Sequence, residues 1–86
     1  MADSTRHMVQ LEKAMEQYEK LIFSICYRML GDYFDAQDMT QETFLTYYRV
    51  LDRFDGENEK AFLTKIATNK CLDFLKSKRR KEMPTE

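Results

Sequence analysis

Three carboxylates, Asp35, Asp38 and Glu42, recur at three- and four-residue steps, which puts them on one face of a helix. Acids at that spacing can hold a divalent cation or meet a basic partner. A cation site needs more ligands than one helix face supplies, and neither a histidine nor a second carboxylate helix stands in register to provide them. The same face carries Gln41, Leu45, Arg49 and Asp52. At about 100° per residue, Leu45 lies near its centre, opposite Ala36, Met39, Phe44, Tyr47, Val50 and Leu51. A solvated helix surface explains the acids but not the leucine. An apolar anchor inside a polar rim is how a protein interface is built, and the acidic rim selects a basic partner.

A second chemistry lies further along. Net charge is −1, but it is unevenly divided. From Asp32 to Glu59, eight acids stand against Arg49 and Arg53; from Lys60 to Lys81, eight bases stand against Asp73 alone. Such asymmetry concerns partners rather than fold. The density of charge from Lys76 to Lys81, with Lys65 upstream, suits the phosphates of a nucleic acid. Phe54 and Phe62 are the aromatics nearest the intervening loop; core packing is the simpler reading of both. Enzymatic constellations are missing: no glycine-rich phosphate loop, no serine or cysteine in a nucleophile motif, and a single histidine, His7, near the start. Cys26 and Cys71 are far apart and match no metal-ligand spacing. The expectation is a non-enzymatic protein without metal or cofactor.

The elements that must position these residues are helices. With 86 residues, one Pro and two Gly, the chain has little punctuation for hairpins. Leu11, Met15, Tyr18, Ile22, Ile25 and Met29 form one apolar stripe, widened by Phe23 and Tyr27, and predict a helix from Val9 to Leu30. Gly31 supplies its end and Asp32 the cap of the next helix, expected to run to Leu51 or Asp52. Residues 53–59 read as a loop, with Asn58 capping a third helix from Glu59 to Lys78. Phe62, Leu63, Ile66, Ala67 and Phe74 form its core side, extended by Cys71 and Leu75. Asp73 falls between Phe62 and Ile66, toward the core, where a carboxylate needs a partner; Arg28 on the first helix is the expected one. The fold class is all-α, a small three-helix bundle of residues 9–80. Residues 1–8 read as a cloning-site remnant or disordered terminus, and 81–86 as the start of a linker. With no signal peptide and no apolar run near 18 residues, a cytoplasmic chain with reduced thiols is expected.

Two strings carry a family resemblance: D-A-x-D-x-x-Q-E-x-F-L at 35–45 and I-A-x-N-x-x-x-D-x-L at 66–75. In this order and separation, they resemble region 2 of bacterial RNA polymerase sigma factors, of the small extracytoplasmic-function (ECF) group, over about residues 11–80. The resemblance implies that Asp38, Gln41, Glu42 and Leu45, with Arg49 at the rim, bind the clamp helices of the largest subunit of core RNA polymerase. It implies that the loop and third helix recognise the minus-ten promoter element and help melt it. A base of the non-template single strand would enter a pocket made by the Phe54–Glu59 loop, including Asn58, with Asn69 reading its edge. Lys65, Lys76, Arg79 and Arg80 would contact phosphates. An anti-sigma factor is a further implied partner, and the nucleoid the implied location. Two departures stand out: Glu59 and Phe62 where the family commonly has Phe and Trp, and Thr40 in place of an aliphatic residue. Glu59 beside the DNA path would repel phosphate. No second helical domain for the minus-35 element follows, so the chain reads as an excised domain. The rival reading is a helical interaction module or sigma-mimicking regulator that binds polymerase without reading DNA.

Overall fold

The computed structural model describes residues 2–82, with side-chain environments for 5–79. It is a bundle of three mutually contacting helices, α1 (Ala2–Leu30), α2 (Tyr33–Arg49) and α3 (Glu59–Glu82). No strand occurs among the described residues. The all-α expectation therefore holds.

Gly31 adopts φ 71° and its N–H donates to the Tyr27 carbonyl at 2.8 Å, closing α1 with a left-handed cap that other residues adopt only under strain. Asp32 follows in extended geometry and accepts from the Asp35 N–H at 2.9 Å, the expected N-cap of α2. Two residues thus turn the chain between helices. At the far end, α2 stops at Arg49, short of the expected Leu51 or Asp52. The Val50 N–H is shared between the Thr46 and Tyr47 carbonyls at 3.2 Å each, and tightened turns continue through Phe54. Asn58 precedes α3 as expected, but with φ 55°, and it caps through its carbonyl, which accepts from the Phe62 N–H at 3.0 Å.

The core gathers Ile22 and Cys26 from α1, Ala36, Phe44 and Tyr47 from α2, and Leu63, Ala67 and Cys71 from α3. Two threonines join it. Thr40 and Thr43 donate to the Ala36 and Met39 carbonyls at 2.7 Å each, so a hydroxyl in the place of an aliphatic residue is satisfied within its own helix.

Several expectations need correction. α1 begins at Ala2 rather than Val9; Thr5, Arg6, Met8 and Val9 are exposed, so this turn is helical without an apolar stripe to announce it. Tyr27 is exposed and stacks on Phe23, with ring centroids 5.9 Å apart. Leu75 is likewise exposed. Asp73 does not face the core. The buried line of α3 runs through Leu63, Ala67 and Cys71, which leaves Asp73 on the flank of the helix, exposed. Arg28 is also exposed, and no ion pair joins the two among the described residues. The expected Arg28–Asp73 pair rested on centring the buried face between Phe62 and Ile66, which are only partly buried.

Cys26 on α1 and Cys71 on α3, distant in sequence, are both fully buried free thiols. Burial, and then the Cys26 thiol, push the Cys71 thiol up from its ordinary 9.0 to about 12. Above pH 9 the unfolded chain gives up this proton while the native protein keeps it. The stability from Cys71 is therefore complete below pH 9 and is lost as pH rises from there toward about 12. Urea unfolding midpoints should fall as pH rises above 9, and the fall should flatten in Cys71→Ala.

Candidate functional site

The outward face of α2 is assembled as its spacing requires. Asp38, Gln41, Glu42 and Arg49 are exposed around Leu45, whose side chain is 48% exposed although its neighbour Phe44 is 3% exposed. Leu45 does not stand alone. It edges a shallow apolar hollow with Phe44, Gln41 and two residues of α1, Leu11 and Met15. Both α1 residues belong to the stripe read as core, and their half-exposure is what sequence periodicity could not separate from burial. The face is therefore a two-helix surface with an apolar centre and an acidic rim.

A second hollow lies between the end of α2 and the start of α3. Phe54 and Phe62 stack there with centroids 4.5 Å apart and planes 19° from parallel, and Tyr47 meets them from below at 5.7 and 5.9 Å. Val50, Asn58 and Ala61 complete the walls, with Arg53 and Lys65 as cations and Asp55 and Glu57 as acids at the rim. The Asp55 carboxylate accepts from the Glu57 N–H at 3.0 Å and shapes the loop. Partly buried aromatic faces beside an amide side chain and two cations are suited to an unstacked base and its phosphates. Asn69 is exposed but does not line this hollow; it lies one turn beyond Lys65 on the same side of α3. Asn58 is the amide that the loop brings to it.

From the hollow, a polar stripe runs down α3. Lys65, Asn69, Leu72, Lys76 and Arg79 alternate at four and three residues and are all exposed. Lys65 to Arg79 spans roughly 21 Å of helix axis. Lys76 and Arg79 share a surface hollow with Leu72, Leu75 and Lys78. The side chain of Arg80 lies outside the described residues.

Glu59 departs from expectation. Instead of facing outward beside this path, its half-buried carboxylate accepts a hydrogen bond from the Tyr47 hydroxyl. Gln10 Nε2 donates to the same Tyr47 oxygen at 3.2 Å. Residues from all three helices thus meet at one phenol, whose pKa is pushed up, first by burial and then by Glu59. Tyr47 looked like plain core in the sequence, because periodicity locates its ring and is silent about its hydroxyl. Among the described residues no three His, Cys, Asp or Glu side chains group as a metal ion requires, and no helix is long and apolar enough to cross a membrane.

Residues 14–81 match the family model described as sigma-70 region 2. The chain belongs to the sigma-70 region 2 family. This sigma region 2 domain is 39% identical over 71 residues to the ECF RNA polymerase sigma factor SigG of Mycobacterium tuberculosis, covering 81% of the chain and 19% of that protein. It is 38% identical over 63 residues to the ECF RNA polymerase sigma factor SigW of Bacillus subtilis, covering 72% and 34%. With the ECF RNA polymerase sigma factor BldN of Streptomyces coelicolor it shares 33% identity over 91 residues, covering 91% and 34%. The domain is thus of the ECF type and spans about a fifth to a third of the length of these relatives. No solved structure matches it significantly. In the domain, the first motif string divides between two faces: Ala36 and Phe44 enter the core, while Asp38, Gln41, Glu42 and Leu45 remain outside.

Proposed function

We propose that this sigma region 2 domain acts without catalysis in transcription initiation, joining core RNA polymerase to the minus-ten element of a promoter. The observation that carries the reading is the separation of two chemically opposed surfaces on one small bundle. An acidic, leucine-centred face lies on α2, and an aromatic hollow continued by a cationic stripe lies on α3. Asp38, Gln41, Glu42 and Leu45, with Arg49 at the edge, receive the basic clamp helices of the largest subunit. Phe54, Phe62 and Asn58 take a base of the non-template strand as the duplex opens, and Lys65, Lys76 and Arg79 follow its phosphates. Asn69, between Lys65 and Lys76, contacts the adjoining nucleotide; Arg80 continues the basic run. The site of action is the cytoplasmic nucleoid, and an anti-sigma factor covering one of these faces is the expected regulator.

The test compares single strands selected from a random pool with scrambled controls, at two salt concentrations. Asn58→Ala should reduce the preference for selected over scrambled strands by about tenfold, the discrimination carried by one base contact. Lys76→Ala should weaken both classes alike and lower the salt slope by about one unit. Equal binding of selected and scrambled strands by the wild type, with polymerase binding retained, would establish the sigma-mimicking regulator instead.

A further inference from the structure

Glu59 occupies the first position of α3, between Asn58 and the hollow-lining residues Ala61 and Phe62. A carboxylate directed outward there would stand beside the nucleic-acid path, at the end of the helix whose N–H groups otherwise favour anions. Yet Glu59 does not line the hollow. It is turned beneath it, onto the hydroxyl of fully buried Tyr47, which is held in turn by Gln10 from α1. The ring bearing this hydroxyl also supports Phe54 and Phe62, the aromatic faces of the hollow.

We infer that Tyr47 is a positioning residue for nucleic-acid binding: its hydroxyl holds the Glu59 carboxylate away from the strand that crosses the hollow. The inference rests on the function proposed above, since it requires a phosphate backbone at that place. Its logic is electrostatic. The phenol buried between three helices requires an acceptor, which the Glu59 carboxylate supplies; released from it, that charge would add to those of Asp55 and Glu57 already at the rim of the hollow. Tyr47→Phe keeps the ring and its packing and releases the carboxylate.

The experiment measures single-strand affinity of wild type, Tyr47→Phe, Glu59→Gln and the double variant at low and high salt, with polymerase affinity recorded for each. Tyr47→Phe should bind single strands roughly fivefold more weakly at low salt, the scale of one unscreened like charge near a phosphate, and approach wild type at high salt. Adding Glu59→Gln to Tyr47→Phe should restore affinity, which a defect of packing would not allow. Glu59→Gln alone should stay within about twofold of wild type, because its charge is already sequestered. Polymerase affinity should not change. Wild-type affinity in Tyr47→Phe at low salt would overturn the inference. So would a double variant as weak as the single one, or a several-fold gain in Glu59→Gln alone. Should Tyr47→Phe fail to fold, the Glu59→Gln result still decides. These outcomes are ratios to wild type. Failure of the proposed function is read separately, in a wild type that binds selected and scrambled strands equally.

Discussion

Leu45→Asp is expected to weaken binding to core RNA polymerase by roughly 30- to 1,000-fold, the range for losing a central interface anchor. Leu45 is exposed on the outward face of α2, as Phe34 is near the helix start, and the hollow beside Leu45, formed with Leu11, Met15 and Phe44, gives a partner side chain somewhere apolar to enter. Aspartate would remove that contact. It would also bring a carboxylate into a surface desolvated on docking, amid Asp38 and Glu42, with Arg49 one turn on as its neighbouring cation. The position is half exposed in the free domain, so folding should be little affected. A competition assay against a labelled sigma factor measures the loss, and unchanged helical circular dichroism and single-strand affinity confine it to the docking face. Affinity within twofold of wild type would remove Leu45 from the interface.

Leu63→Ala should lower the melting temperature by roughly 10–30 °C. Leu63 is fully buried in the core that α3 shares with α1 and α2. Truncating such a leucine costs about 2–5 kcal/mol in lost transfer energy and residual cavity. A domain of 86 residues has a total of only roughly 4–13 kcal/mol to lose. Each kcal/mol corresponds to about 4–8 °C at this size. Leu75→Ala, on the exposed part of the same helix, should shift the transition by a few degrees at most. Thermal denaturation followed by circular dichroism compares the two, and equal shifts would mean that the C-terminal half of α3 is packed against something.

The contrast between these leucines shows what patterning can and cannot convey. The α1 stripe, the Gly31–Asp32 junction and the two-faced motif at 35–45 were readable because each rests on a local rule: a period, a left-handed turn, a side-chain cap. The exposure of Leu75 and Asp73 does not follow from a period, because it depends on which azimuth of α3 its neighbours cover, and that is set by Leu63, Ala67 and Cys71 meeting α1 and α2. The supposed Arg28–Asp73 pair followed from that same misplaced azimuth. Phe54, Asn58 and Lys65, expected from the loop and the charge run, do line one hollow, whereas Asn69 lies a turn beyond it. The inward turn of Glu59 was hidden for another reason. It depends on the Tyr47 hydroxyl, twelve residues upstream, and on Gln10, in contacts that no periodicity encodes.

The junctions of the bundle also divide its folding. Gly31 and Asp32 alone separate α1 from α2, while residues 50–58 separate α2 from α3. Closing the short junction costs less chain entropy, so α1 and α2 can pair from near-neighbour contacts before α3 is recruited across the longer one. The leucine-centred face is built wholly from α1 and α2, whereas the aromatic hollow is complete only once α3 has joined them.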